Sequence, residues 1–372
     1  MSIPFLSFDK TNDTIRTEIS AAFHDFFDSK WYILGEKVKQ FEKEYALFNQ
    51  VKYCVGTSNG LDALHLALRA TGVVPGDEVI VPSNTFIATL LAISYVGGTP
   101  VLVEPNPNTY NIDPAKIEAA ITSRTKVIMP VHLYGQCCEM KEIMKIAEKH
   151  KLLVVEDNAQ AQGSSHFGQL AGSFGHINGT SFYPGKNLGA FGDAGAITTN
   201  DESLATKITV LRNYGSEKKY HNEVVGYNMR LDELQAALLS VKLKHLSAWT
   251  AERQQIAAWY NTALSGIGDL VLPVVANGAT HVYHLYVIRT KRRNKLQVYL
   301  QQNGIGTLIH YPVPPHLQKA YIHLGFKKTD FPIAEEIANT CLSLPIWPGL
   351  EVQQVSEIAG QIKRFYEKNA DN

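Results

Sequence analysis

Val154-Val155-Glu156-Asp157-Asn158-Ala159-Gln160 is a hydrophobic run that ends in an acid and an amide. A short apolar run rich in β-branched residues reads as a strand buried on both faces, with its polar end as the carboxyl terminus of the strand. Working outward, Leu152-Leu153-Val154-Val155 has three counterparts upstream: Val79-Ile80-Val81, Thr99-Pro100-Val101-Leu102-Val103 and Lys126-Val127-Ile128-Met129. The stretches 61–71, 86–96, 114–121 and 140–150 read as helices between them. Strand–helix alternation over this length implies an α/β protein, a parallel sheet with helices packed on it. Ligands of such sheets collect at the carboxyl ends of strands, beside helix N-termini, and Asp157 stands at such an end.

The pattern changes after residue 240. A helical stretch over 231–255 leads into another, followed by strands at 284–288 and 306–309 and helices over 330–341 and 351–368. The expected organisation is a large domain over 1–240 and a smaller α/β domain over 241–372. The N-terminal segment would pack on the smaller domain or on a partner subunit.

The chain has 372 residues, 45% of them hydrophobic and 19% charged, which suits a globular protein and excludes a disordered one. Lys plus Arg and Asp plus Glu are both 35, so there is no basic excess for wrapping nucleic acid, although a small anionic ligand needs only a local cluster of donors. No apolar run is long enough to span a membrane, and the opening residues lack the h-region of a signal peptide. The adjacent pair Cys137 and Cys138 cannot easily close a relaxed disulfide. With Cys54 and Cys341 they form no CxxC and no Cys/His cluster at metal spacing. The expectation is reduced thiols in a cytoplasmic protein without a metal.

Downstream of Asp157 comes Ser181-Phe182-Tyr183-Pro184-Gly185-Lys186-Asn187-Leu188-Gly189, a lysine in a turn punctuated by Gly and Pro. An acid at a strand end and a lysine in such a turn suit pyridoxal phosphate: the lysine forms a Schiff base, and the acid keeps the pyridinium nitrogen protonated so that the ring accepts electrons. Taken alone, Lys186 reads as a surface lysine and Asp157 equally as a helix N-cap; the combination carries the argument. Gly56-Thr57-Ser58-Asn59-Gly60-Leu61-Asp62 opens a helix and offers N–H groups to a phosphate, or is an ordinary capped helix start. Phe86, after the strand at 79–81, is placed to lie on a ring or to pack in the core.

These motifs, with Glu156-Asp157-Asn158-Ala159-Gln160-Ala161 and Gly226-Tyr227-Asn228-Met229-Arg230-Leu231-Asp232-Glu233-Leu234-Gln235-Ala236, resemble the DegT/DnrJ/EryC1/StrS sugar-nucleotide aminotransferases. The resemblance runs from Trp31-Tyr32-Ile33-Leu34-Gly35 to Leu342-Ser343-Leu344-Pro345. It implies the aspartate-aminotransferase fold (fold type I), a large domain with a mostly parallel seven-stranded sheet and a smaller C-terminal α/β domain. By that resemblance Lys186 is the Schiff-base lysine and Asp157 the acid at the ring nitrogen. Gln160 lies beside the ring oxygen, Phe86 stacks on the ring, and Asn59, Gly60 and Ser181 hold the phosphate. Asn228 would reach the same phosphate from the neighbouring subunit of a homodimer, though by itself it reads equally as a turn or capping residue. Asn158 and Gln162 stand where Ala and His are frequent in the family, and Trp347 where His is.

Within the family, Tyr183-Pro184-Gly185-Lys186 and Gly306-Thr307-Leu308-Ile309-His310-Tyr311-Pro312-Val313-Pro314-Pro315-His316 look most like enzymes that aminate C3 of dTDP-linked 3-keto-6-deoxyhexoses, with L-glutamate as donor. Tyr183, His310 and His316 are candidate contacts to the sugar, the two histidines alternatively being structural. Arg212, Lys219 and Tyr220 are candidates for the nucleoside diphosphate, or part of a solvated face. Other readings are amination at C4, a non-catalytic binding or regulatory protein, and a related dehydratase. The dehydratases carry a histidine at the lysine position, and Lys186 argues against that reading.

Overall fold

The computed structural model describes residues 2–368, so residue 1 and residues 369–372 of the expected domains lie outside it. Helices α1 (Asp9–Ser29) and α2 (Glu36–Phe48) precede strand β1 (Tyr53–Thr57). Then α3 (Gly60–Ala70), β2 (Glu78–Pro82), α4 (Ile87–Tyr95), β3 (Thr99–Val103), α5 (Pro114–Ile117), β4 (Thr125–Ile128), α6 (Met140–His150) and β5 (Leu153–Asp157) alternate. A small hairpin, β6 (Ser165–His166) and β7 (Gln169–Leu170), leads to β8 (Ile177–Ser181) and β9 (Gly195–Thr199). The helices α7 (Glu202–Leu211), α8 (Glu233–Leu243) and α9 (Leu246–Leu264) follow. The chain closes with β10 (Tyr286–Arg289), α10 (Arg293–Gln302), α11 (Pro332–Thr340), β11 (Cys341–Leu344) and α12 (Val352–Lys368).

The main sheet has seven strands in the order β1-β9-β8-β5-β4-β2-β3, and only β9 runs against its neighbours. This is the expected mostly parallel seven-stranded sheet. Its apolar strands are buried on both faces: β2 is buried throughout, and α3 and α4 lay Leu64, Leu66, Leu68, Leu90 and Ile93 against it. The helix starts are written in the sequence, since Asn59 Oδ1 accepts the Asp62 N–H at 2.9 Å and Asp201 Oδ1 caps α7 in the same way.

Three sequence expectations are corrected, and three strands lie outside them. The stretch 306–309 is no strand: its pairing is a single bridge from Leu308 to Ser343, and β10 takes β11 as its partner instead. The helix over 231–255 is two helices, broken at Lys244 and His245. The segment 114–121 forms four α-helical residues and a short 3₁₀ turn. Strands β1, β8 and β9 had no apolar run to announce them.

A second core forms around β10 and β11, where α9 and α12 supply Ile256, Tyr260, Ile358 and Ile362. Ile3 belongs to it and pairs its backbone with Gly304 and Gly306 at 2.8 Å, while α1 lies along α8. We place the division between the two units at the break before α9. One carboxylate ties them: Glu104, just after β3, accepts the N–H groups of Ile333 and Ala334 at 2.7 and 3.1 Å, capping α11.

Candidate active site

The carboxyl ends of β1, β2, β4, β5 and β8 open on one side of the sheet, and the candidate residues hang from them. Along β5, side chains alternate between faces, so Glu156 and Asp157 point in opposite directions. Glu156 is fully buried in a cage. It accepts N–H groups from Gly172, Phe174 and Gly175 at 2.6 to 2.7 Å, and His132 Nε2 lies 2.7 Å from it. His132 Nδ1 accepts the Cys138 N–H at 3.1 Å, so its proton sits on Nε2 and the neutral ring donates to Glu156. That acid is structural.

Asp157 faces the site. It is 5% exposed; Thr89 donates to its Oδ2 at 2.9 Å and the Ala159 N–H to its Oδ1 at 3.1 Å. Burial pushes its carboxyl above the ordinary value, while Thr89, Ala159 and the charge of Lys186 pull it back. Lys186 is half-buried in a turn closed by its own N–H to the Tyr183 carbonyl at 2.8 Å. Burial brings its amine down to about 8, with Asp157 working against the shift. The two groups therefore act on each other across the ends of β5 and β8.

Around them Gln160 is fixed at both ends: its Oε1 accepts the Tyr134 N–H at 2.7 Å and its Nε2 donates to the Tyr311 hydroxyl at 3.0 Å. Phe86 leaves an exposed ring face and meets Tyr311 at 5.3 Å. A Cβ at Gly60 would stand 2.5 Å from Ser181 Cβ, so only glycine lets the start of α3 come this close to β8. The first N–H groups of α3 have no partner within the helix and face an incoming anion together with Ser181. Asn59 serves as the cap, with both ends of its amide on Asp62, so its contribution to that seat is through the helix start it sets.

His310 belongs to the same cluster. Its Nδ1 pairs with Ser343 Oγ at 2.8 Å, its carbonyl accepts the Tyr134 hydroxyl, and burial with Lys186 nearby brings its ring down to about 4, so it is neutral. Tyr183 is exposed beside Lys186. Asn228, Lys219 and Tyr220 lie on an exposed loop between Gly215 and the strand-like bridge of Asn213 to Asn228, and no contact joins them to Asp157 or Lys186 of the same chain. Two candidates are turned inward. Arg212 is 6% exposed and donates to Glu42 and the Gly56 carbonyl, both at 2.6 Å, so its guanidinium is occupied within the fold rather than offered to a diphosphate. His316 is buried against Phe331 with its Nε2 on Glu335 at 3.1 Å, in the structural role.

Sequence reasoning missed Thr89, Tyr134, Tyr311 and His132. Thr89 was findable, because it lies one helical turn after Phe86 on α4. Replacing it with valine keeps the volume but removes a donor to a charged group, a bond that contributes ~1.5–3 kcal/mol. The Asp157 carboxyl should then rise by ~1–2 pH units, read by NMR titration of that carboxyl against the parent protein.

Among the described residues there is no group of three or more His, Cys, Asp or Glu placed to hold a metal ion, and no helix long and apolar enough to cross a membrane. All four cysteines are free and buried.

Residues 13–363 match the DegT/DnrJ/EryC1/StrS aminotransferase family. A curated relative from Aneurinibacillus thermoaerophilus, dTDP-3-amino-3,6-dideoxy-alpha-D-galactopyranose transaminase, is 52% identical over 98% of this chain and 99% of its own length. UDP-N-acetyl-3-dehydro-alpha-D-glucosamine 3-aminotransferase from Acidithiobacillus ferrooxidans is 45% identical over 98% of both. Among solved structures, Streptomyces venezuelae DesV is 45% identical and superposes with a TM-score of 0.96 over 98% of this chain and 99% of that one.

Proposed function

The chain belongs to the DegT/DnrJ/EryC1/StrS aminotransferase family and is a sugar-nucleotide aminotransferase, and we propose that it aminates C3 of a dTDP-linked 3-keto-6-deoxyhexose with L-glutamate as donor. The observation that carries the site assignment is the pair formed by the buried carboxylate of Asp157 and the partly desolvated amine of Lys186. The choice of C3 and of dTDP is supported by the 52% identical relative; the UDP-sugar relative at 45% keeps the nucleotide open to experiment.

Pyridoxal phosphate is the cofactor, and the residues present fit it. Both hydrogen-bond donors on Asp157, Thr89 and the Ala159 N–H, are neutral, which leaves a buried anion suited to a pyridinium N–H. The Gly60–Ser181 approach and the free N–H groups of α3 fit its phosphate. When bound, the cofactor supplies the aldehyde that carries an amino group and a ring that stores electrons.

In this reading Asp157 would keep the ring nitrogen protonated, Phe86 would pack against the ring, and Gln160, held by Tyr311, would help to orient it. Lys186, once free, takes a proton from the donor α-carbon and returns one to the sugar's C3, a general base that works only when neutral. Tyr183 and the neutral His310 donate to sugar hydroxyls or the keto oxygen. Lys219, Tyr220 and Asn228 are exposed on their loop, and in the homodimer that we propose as the working unit they would reach the site of the second copy, Asn228 at the phosphate. We place the enzyme in the cytoplasm.

Because the Lys186 amine ordinarily titrates at 10.5 and is brought to about 8 here, kcat should climb tenfold per unit as pH rises toward 8 and level above it. A flat profile over this range would remove Lys186 from the base role. The deciding experiment incubates the enzyme with L-glutamate and dTDP- or UDP-linked keto sugars and identifies products by mass spectrometry. A 3-amino-3,6-dideoxyhexose formed with the dTDP substrate is expected; product from the UDP substrate alone, or amination at C4, would overturn the finer assignment.

A further inference from the structure

The turn that carries Lys186 is gripped from one side by α8. Gln235 Oε1 accepts the Phe191 N–H at 2.9 Å, and Lys242, on the same face of the helix about two turns on, donates from Nζ to the Gly189 carbonyl. The Lys242 amine also lies 4.6 Å from the centroid of the Phe191 ring. The side chain is 6% exposed, and these partners are a carbonyl and a ring rather than a carboxylate. Burial alone brings its amine down to about 8. A buried cation without a counter-charge destabilises a fold, so its place at the end of this turn calls for a reason other than stability.

That reason lies in what Gly189 touches. It packs directly on the backbone of Pro184, where no Cβ would fit, and the Ala190 N–H returns to the Phe182 carbonyl at 2.7 Å. Holding the Gly189 carbonyl therefore holds both ends of the turn between Phe182 and Ala190. We propose that Lys242 is a positioning residue for Lys186: acting through Gly189, it fixes the turn so that the Lys186 amine stays beside Asp157. The proposal rests on the reading of Lys186 as the residue that joins the cofactor.

The test compares Lys242→Met and Lys242→Arg with the parent protein in binding pyridoxal phosphate and pyridoxamine phosphate. Only the first has an aldehyde with which Lys186 can condense. Loss of positioning should weaken pyridoxal phosphate binding about tenfold in Lys242→Met, the scale of one lost hydrogen bond, and pyridoxamine phosphate binding less than about twofold. Lys242→Arg, which keeps a charged donor, should recover most of the loss. If both affinities fall together, or neither falls in a folded variant, the proposal is overturned.

Should Lys242→Met not fold, the pH dependence decides. Pyridoxal phosphate affinity of the parent relative to Lys242→Arg should decline above pH 8, where lysine loses its charge and arginine does not; parallel profiles would overturn the proposal. Borohydride reduction of the parent and peptide mapping keep the two levels apart. Label on Lys186 upholds the premise, and label elsewhere refutes the site assignment whatever Lys242 does.

Discussion

Lys186→Ala is expected to lower turnover by ~10⁴-fold, the upper range for a positioned acid–base group, while leaving the protein folded. The side chain is half-buried, and its amine is held below its ordinary value mainly by desolvation. A base whose folded value is depressed binds fewer protons folded than unfolded, so its burial opposes folding below about 8 and this opposition fades as pH rises toward 10.5. Alanine removes it. The variant should therefore melt no lower than the parent at pH 7, with any advantage shrinking across that window; the attraction between Lys186 and Asp157 takes back part of the gain. Calorimetry and 2-oxoglutarate release measure the two halves. Near-normal turnover would end the assignment, and collapse of the fold would mean that the amine is a structural element.

Asp157→Asn should be the second most damaging change. Asparagine is close in shape and can still accept the Ala159 N–H, and the Thr89 hydroxyl can turn to accept from the new amide. What is lost is the charge. Breaking a buried ion pair by removing one partner costs ~3–5 kcal/mol, which corresponds to ~10²–10⁴-fold in rate. The fall should appear in kcat with both donor and sugar acceptor, because the ring nitrogen serves each half of the reaction. A variant impaired only in KM would show that Asp157 binds rather than activates.

Much of this was legible beforehand, for physical reasons that differ between residues. Strands β2 to β5 announce themselves because a parallel strand covered on both faces must be apolar. Ile177-Asn178-Gly179-Thr180-Ser181 is as buried but is made of small and polar residues, since α3 approaches it so closely that Gly179 meets Leu64 and Ser181 meets Gly60. No periodicity reports a strand whose neighbours demand small side chains. The segment 306–309 reads as a strand from composition, yet β10 pairs with β11 and leaves it one bridge. Arg212 and His316 read from the sequence as ligand contacts or as groups with no ligand role, because residue type tells nothing about direction; Glu42, 170 residues away, and Glu335, 19 away, turn both inward. Asp157 and Lys186 were recognisable because acid, lysine and turn residues recur together in a family pattern, whereas Thr89 is identified only by the carboxylate it touches.

The cage around Glu156 has one more effect. Two carboxylates sit side by side at the end of β5, and sliding the strand by a single residue would exchange them. Three amide hydrogens and a ring proton converge at the depth that the longer side chain reaches, so the shorter one would fall short of them. Glu156 thus acts as a key that admits one alignment of the strand, and the reactive acid beside it inherits its address from a neighbour that never meets the substrate.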